Sequence, residues 1–333
     1  MISRRLAVKG GVATLAAKLG GTALERRAAA REARFEAAFP PEGEILDVTF
    51  NGNSVPVHAV VRGVGPDLIL IHGASGSSRE FTFDMIDRLS DRYRCIAFDR
   101  PGLGYTGHTD PRYAAVFSSE AESPAEQAAL LATAYAKIGT LKGDGRAPLV
   151  LGHSFGGTVA LAWGLDQPAR ALILLAAASN RWKGGLGPLY ALNASAPGGA
   201  LAVPLLTATV SIDRLRAITE GIFAPDAMPD GYFAHVGAQL ILRRDGLRSN
   251  ARQVNGLKPH VLAMEQRYRD LTLPVEMVHG TADTIVPVDI HANVLIDMLP
   301  NGNLTLLDGI GHMPHHADPE AVVAAIDRAA VRS

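Results

Sequence analysis

One segment of this 333-residue chain is built for covalent chemistry. Leu149-Val150-Leu151 runs into Gly152-His153-Ser154-Phe155-Gly156, a G-x-S-x-G pattern, and then into Gly157-Thr158-Val159-Ala160-Leu161-Ala162, which reads as helix. A serine hydroxyl becomes a useful nucleophile when a sharp strand-to-helix turn projects it into a cleft. Gly152 and Gly156 suit that turn, because side chains there would collide as the backbone reverses. The helix beginning at Phe155 would aim its free N–H groups and positive dipole end at developing negative charge.

A serine nucleophile also needs two N–H donors for the oxyanion of a tetrahedral intermediate. Phe155 supplies one by its position after the serine. The second is expected from the loop after an earlier strand, where Leu68-Ile69-Leu70-Ile71 ends in His72-Gly73-Ala74, and Ala74 is the candidate. The base should be a histidine, since its proton affinity matches neutral pH. Serine elbows of this kind are followed in the chain by an acid and then a histidine. Asp308-Gly309-Ile310-Gly311-His312 follows the apolar run 304–307, which makes His312 the base; His315 and His316 approach the next helix and are expected to point elsewhere. Asp283, on the loop after 275–278, is the acid that would orient the imidazole. Asp308 shares its loop with His312 and is expected to face away. No Cys or acidic ligand pattern accompanies the C-terminal histidines, so no metal site and no cofactor are expected.

The elements that must position these residues alternate between short apolar runs and helical stretches, the mark of an α/β sheet. Strands are expected at 45–50, 55–61, 68–71, 95–98, 149–151, 172–176, 275–278 and 304–307, the first two joined by the Asn51-Gly52-Asn53 turn. The continuous apolar character of the later ones suits a parallel sheet covered on both faces. Helices are expected at 78–90, 124–138, 155–167, 287–298 and 319–331. From 181 to 258 no buried strand appears. Ile212, Leu215, Ile218 and Ile222 recur there at helical spacing, as do Phe233, Val236, Leu240 and Ile241. This interval reads as a helical lid inserted in a core of 43–180 and 259–333.

Lys and Arg total 32 against 33 Asp and Glu, so no bulk field recruits nucleic acid. The single cysteine, Cys95, permits no internal disulfide and sits in the apolar run Cys95-Ile96-Ala97-Phe98 as a core residue. Residues 1–42 form a separate basic segment, in which Arg4 and Arg5 resemble a twin-arginine export signal. Lys18, Arg26, Arg27, Arg31 and Arg34 oppose translocation, and Ala7 stands where that pattern has phenylalanine. A basic, Ala-rich helix running to Phe39 and lying either on the domain or, as a peripheral contact through residues 1–39, on a membrane surface is the reading preferred to export or anchoring. The protein is then cytoplasmic or membrane-associated.

Taken together, His72-Gly73, the Asp99-Arg100-Pro101-Gly102 turn, the Ser154 elbow, Gly280-x-x-Asp283 and Gly311-His312 resemble the α/β-hydrolase superfamily, in its serine-nucleophile branch with a helical lid. The resemblance spans about 44–331. It implies a mostly parallel eight-stranded sheet with helices on both faces, and a structural role for Asp99 and Arg100. Serine at the elbow separates the chain from dehalogenases and epoxide hydrolases of similar layout, which use aspartate. The expected activity is hydrolysis of a carboxylic ester of a small apolar substrate through an acyl-enzyme. C–C bond hydrolysis, cofactor-free perhydrolysis and a catalytically silent binding protein are the alternatives.

Overall fold

The computed structural model describes residues 3–139, 145–185 and 187–333, with side chains of the first helix described from Gly21 onward. Eight strands form one sheet: β1 (Glu44–Phe50), β2 (Asn53–Arg62), β3 (Asp67–Ile71), β4 (Arg94–Phe98), β5 (Leu149–His153), β6 (Ala171–Leu175), β7 (Val275–Gly280) and β8 (Gly302–Leu307). Their spatial order is β1-β2-β4-β3-β5-β6-β7-β8. β1 and β2 pair antiparallel across a two-residue turn at Asn51 and Gly52, both at positive φ, as a turn matching the strand twist requires. β2 is also antiparallel to β4, and every later pairing is parallel.

Strand side chains alternate between two cores. On one face Ile69, Ile71 and Val150 pack with Leu130, Leu131, Val159 and Trp163 from the helices Pro124–Gly139 and Phe155–Asp166. On the other, Leu68, Leu70, Leu149 and Leu151 pack with Phe81, Met85, Ile86, Val322 and Ile326. Because both faces are covered, the central strands are buried throughout. Cys95 belongs to the second core, where burial above all pushes its thiol up to about 12.

After β3 the chain moves outward to β4, then returns to the other side of β3 for β5. The crevice where neighbouring connections diverge lies beyond the carboxyl ends of β3 and β5, the place where open α/β sheets bind ligands.

Between β6 and β7 lie the helices Pro188–Ala194, Ala196–Thr209, Ile212–Phe223, Tyr232–Val236 and Arg244–Glu265, with a 3₁₀ turn at Ala238–Leu242. No element ends at the boundary expected at 258. Helix Arg244–Glu265 runs through it, and the sheet resumes only at Val275. The reason is packing: Val254, Leu257, Val261 and Met264 join the main core, so this helix belongs to the insertion and the sheet domain together. Two other helices are shorter than their patterns. The stretch 78–90 breaks into Arg79–Thr82 and Met85–Leu89, and 287–298 retains only Ala292–Ile296.

The first helix, Ser3–Ala38, lies on the insertion. Ala28 is buried and Phe35 packs with Leu215, Phe233 and Leu242. Arg31 donates to the carbonyl of Val210 (2.7 Å), and Glu32 accepts from Arg244 (2.7 Å).

Candidate active site

Ser154 closes β5 and opens helix Phe155–Asp166 with φ 53° and ψ −118°, a conformation that L-residues adopt only under constraint. The constraint is close packing. A Cβ on Gly156 would lie 2.1 Å from the carbonyl oxygen of Ile71, and one on Gly152 would lie 2.1 Å from that of Gly156. Helix and strand therefore approach at a distance only glycine allows, and the serine between them is turned out into the crevice.

Two loops bring partners to it. Gly280–Asp283 leaves β7, and Asp283 Oδ1 accepts from the N–H groups of Ile285 and Val286 (both 2.9 Å), which fixes the carboxylate. Asp283 Oδ2 stands 2.7 Å from His312 Nδ1, and His312 Nε2 stands 3.0 Å from Ser154 Oγ. Burial alone would raise the Asp283 pKa, but hydrogen bonds from His279 and His312 outweigh it and hold the carboxyl well below the usual range. An ionised carboxylate only accepts, so His312 Nδ1 carries the proton and Nε2 presents its lone pair to the serine hydroxyl. All three side chains are buried. Asp308 faces away, accepting from Thr281 (3.1 Å).

On the other side of Ser154 lies the β3 loop. His72 Nε2 accepts from the Arg100 N–H (2.9 Å), so its proton resides on Nδ1 and is donated to the Gly73 carbonyl (2.8 Å). Burial above all, then the Arg100 charge, lowers the His72 pKa to about 4 and keeps the ring neutral. The same carbonyl accepts from Arg100 Nη2 (3.1 Å). Arg100 is fully buried, donates to Gln127 and Gln253 (both 2.9 Å), and lies over the Phe155 ring at 4.2 Å. Burial brings its pKa down to about 9. Neither the Ala74 nor the Phe155 N–H has a hydrogen-bond partner among the described residues. Asp99, by contrast, is a brace: it accepts from Ser78 N–H (2.6 Å), Tyr105 N–H (2.8 Å) and His58 (2.8 Å).

His315 and His316 turn from Ser154 to a partner the sequence did not disclose. Both donate through Nε2 to Oε1 of buried Glu80 (2.9 and 2.7 Å), whose other oxygen accepts from the Tyr232 hydroxyl (2.6 Å). The donor types are those of a metal site, within 4.8 Å of one another. However, a ligating imidazole ordinarily donates its second nitrogen to an acceptor. Nδ1 of His315 is buried with no partner, so the three residues fit a hydrogen-bonded hub better than a metal centre. Glu80 joins the β3 loop, the His312 loop and the insertion. Asp226 adds a second tie, accepting from the Gly311 N–H (2.8 Å). Neither residue carried a local signal, because these partners lie 85 to 236 residues away in the chain.

A cavity of about 310 Å³ opens over Ser154. Gly73, Ala74 and His312 line its floor; Leu215, Ile218, Ile222, Phe223 and Ile241 of the insertion line its roof.

The "Alpha/beta hydrolase family" profile matches residues 68–325. The chain belongs to that family. Among curated proteins, this alpha/beta hydrolase is 28% identical over 92% of its length to "Polyketide synthase ThaQ" of Burkholderia thailandensis, but it spans only 14% of that protein. It is 28% identical to the "Magnesium-chelatase 30 kDa subunit" of Rhodobacter capsulatus, covering 79% of this chain and 86% of that one. It is 26% identical to the "Pimeloyl-[acyl-carrier protein] methyl ester esterase" of Vibrio campbellii, covering 80% and 96%. Among solved structures, the fold matches the esterase RhEst1 from Rhodococcus sp. ECU1013 with a TM-score of 0.62 and 24% identity, covering 86% of this chain and 98% of that one.

Proposed function

We propose that this hydrolase is a serine esterase that cleaves a carboxylic ester with a small apolar acyl or alcohol group. The observation that carries the reading is the unbroken chain from Asp283 through His312 to Ser154 beneath an apolar cavity. Ester cleavage by the pimeloyl esterase, similar over most of both chains, supports it. Ser154 Oγ attacks the acyl carbonyl while His312 Nε2 takes its proton, and Asp283 stabilises the imidazolium that forms. His312 then returns the proton to the departing alcohol. Water, deprotonated by the same nitrogen, attacks the acyl-enzyme and regenerates Ser154.

The tetrahedral oxyanion is assigned to the N–H groups of Phe155 and Ala74. In a trans peptide the C=O and the following N–H point in opposite directions. With the Gly73 carbonyl held by His72 and Arg100, the Ala74 N–H is turned the other way, on the side of the cavity that Gly73 and Ala74 line. Arg100 thus acts as a positioning residue, fixing one donor by a hydrogen bond and packing on the side chain of the other. The cavity lies near the lower end of the 300–1,000 Å³ typical of ligand pockets, which suits a short acyl group.

A fluorophosphonate probe should label the wild type and not Ser154→Ala, and the variant should lose roughly 10⁴-fold or more in kcat on p-nitrophenyl esters. Labelling that persists in Ser154→Ala would reject the nucleophile. A labelled wild type that turns over no ester in a panel of increasing acyl length would reject the esterase reading.

A further inference from the structure

The outer face of the insertion is chemically unlike the rest of the surface. From Pro188 to Thr209 the chain carries no charged residue. Helices Pro188–Ala194 and Ala196–Thr209 bury one side against the protein through Asn193, Ala194, Val203, Thr207 and Ala208, and present Leu189, Leu192, Leu201 and Leu205 outward. Leu201 is 74% exposed. Phe117, 76% exposed, extends the patch, since the neighbouring Val116 backbone approaches Gly199. Scattered exposed leucines need no explanation, but a contiguous charge-free face does.

Charge indicates what covers it. Between Arg181 and Ile212 the chain holds two cations, Arg181 and Lys183, and no acid. Helix Ser3–Ala38 contacts Ala196–Thr209, and the first 24 residues of the sequence hold Arg4, Arg5, Lys9 and Lys18 and again no acid. An uncharged apolar face, contacted by a helix whose sequence opens with an excess of positive charge, has the composition of an element lying in a lipid interface. Together the two helices are apolar enough to cross a bilayer, but they are bent by 106° and each has a buried side. They lie on a surface rather than span one. The same region leads to the cavity. Tyr190 of helix Pro188–Ala194 lines it, and Ile218 and Ile285 both line it and reach solvent.

We propose that this face docks on an anionic lipid bilayer, with Leu201, Leu205 and their neighbours in the acyl boundary and the basic segments on the headgroups. Resting on the esterase reading, the substrate would be an ester dissolved in that bilayer, entering the cavity beside Tyr190 and Ile218.

Sedimentation of the full chain with vesicles tests this. The wild type should pellet with equal parts phosphatidylcholine and phosphatidylglycerol and bind pure phosphatidylcholine about tenfold less. Leu201→Glu/Leu205→Glu should bind the anionic vesicles at least tenfold less tightly, while hydrolysing a soluble short-chain ester at the wild-type rate. Replacing Arg4, Arg5, Lys9 and Lys18 together by Gln should also weaken binding and reduce its dependence on phosphatidylglycerol. A wild type that stays in the supernatant with both vesicles overturns the proposal. So does a leucine variant that binds undiminished. A dimer in gel filtration that the leucine variant splits would assign the face to a second copy of the chain instead. Vesicle binding is read without turnover, so a protein that binds but hydrolyses nothing keeps the docking surface and loses only the esterase reading.

Discussion

An added methyl group distinguishes the elbow beneath Ser154 from the exposed side of the helix that roofs the cavity. On Gly156, beneath Ser154, it would sit 2.1 Å from the Ile71 carbonyl and 2.5 Å from that of His72. On Gly221, in the roof helix Ile212–Phe223, it would meet nothing within 4 Å. The floor is a junction of backbones with no slack, so its geometry is set by main chain that cannot yield. The roof is made of side chains on a helix partly open to solvent, where size and shape can change without refolding the protein. A site built this way can keep one chemistry while its substrate changes.

Substitutions can break or sharpen that contrast. The largest effect is expected for Gly156→Ala, which should yield little folded protein or lower Tm by more than 10 °C, equivalent to roughly 3 kcal/mol or more. A Tm within two degrees of wild type would show that the floor has slack after all. Next is Ala74→Pro, which removes one N–H donor and should lower kcat about 10²–10³-fold, whereas Ala74→Gly, which keeps the donor, should lower it little. Equal losses would point to a structural fault at position 74 rather than an oxyanion contact.

A smaller effect belongs to the seam between the two regions. His108, on the sheet domain, bonds Glu122 (2.6 Å) and Asp245 of the insertion (3.1 Å). Burial alone would lower its pKa, but these two carboxylates raise it to about 10. The charged form is therefore favoured by folding. Its contribution is complete below the unfolded value near 6.5 and is lost as pH rises through 10. Tm should fall by several degrees between pH 7 and pH 10, and less in His108→Gln; an identical slope in the variant would sink this assignment. The smallest effect has the opposite sign: Gly221→Ala should raise stability by about 0.5–1 kcal/mol with unchanged turnover, as thermal melts and ester assays would show.

The same division governs what the sequence disclosed. All eight strand runs, from 45–50 to 304–307, lie within two residues of the observed elements, the central ones because buried parallel strands must be continuously apolar. Ser154, Asp283 and His312 were legible because each sits at a strand end with glycine nearby. Glu80, His72 and Arg100 were less so. Most of their partners are remote in the chain, and their roles arise from which carbonyl or imidazole the fold carries to them. The break at Phe83 and the shortened helix at 292–296 were missed for a similar reason. Their sequences suit a longer helix, but Asp84 and His291 depart from helical geometry where the chain turns.

The separation of the hydrogen-bonded chain along the polypeptide has a consequence for synthesis. Ser154 and His312 are 158 residues apart, and Asp283 also follows the serine. At bacterial-to-eukaryotic translation speeds of about 5–20 residues per second, the elbow leaves the ribosome roughly 8–30 seconds before His312 does. Throughout that interval Ser154 lacks its His312 hydrogen bond and is an ordinary alcohol. On the proposed mechanism, a nascent chain therefore cannot acylate itself or hydrolyse esters before β7 and β8 dock, and turnover begins only with the completed sheet.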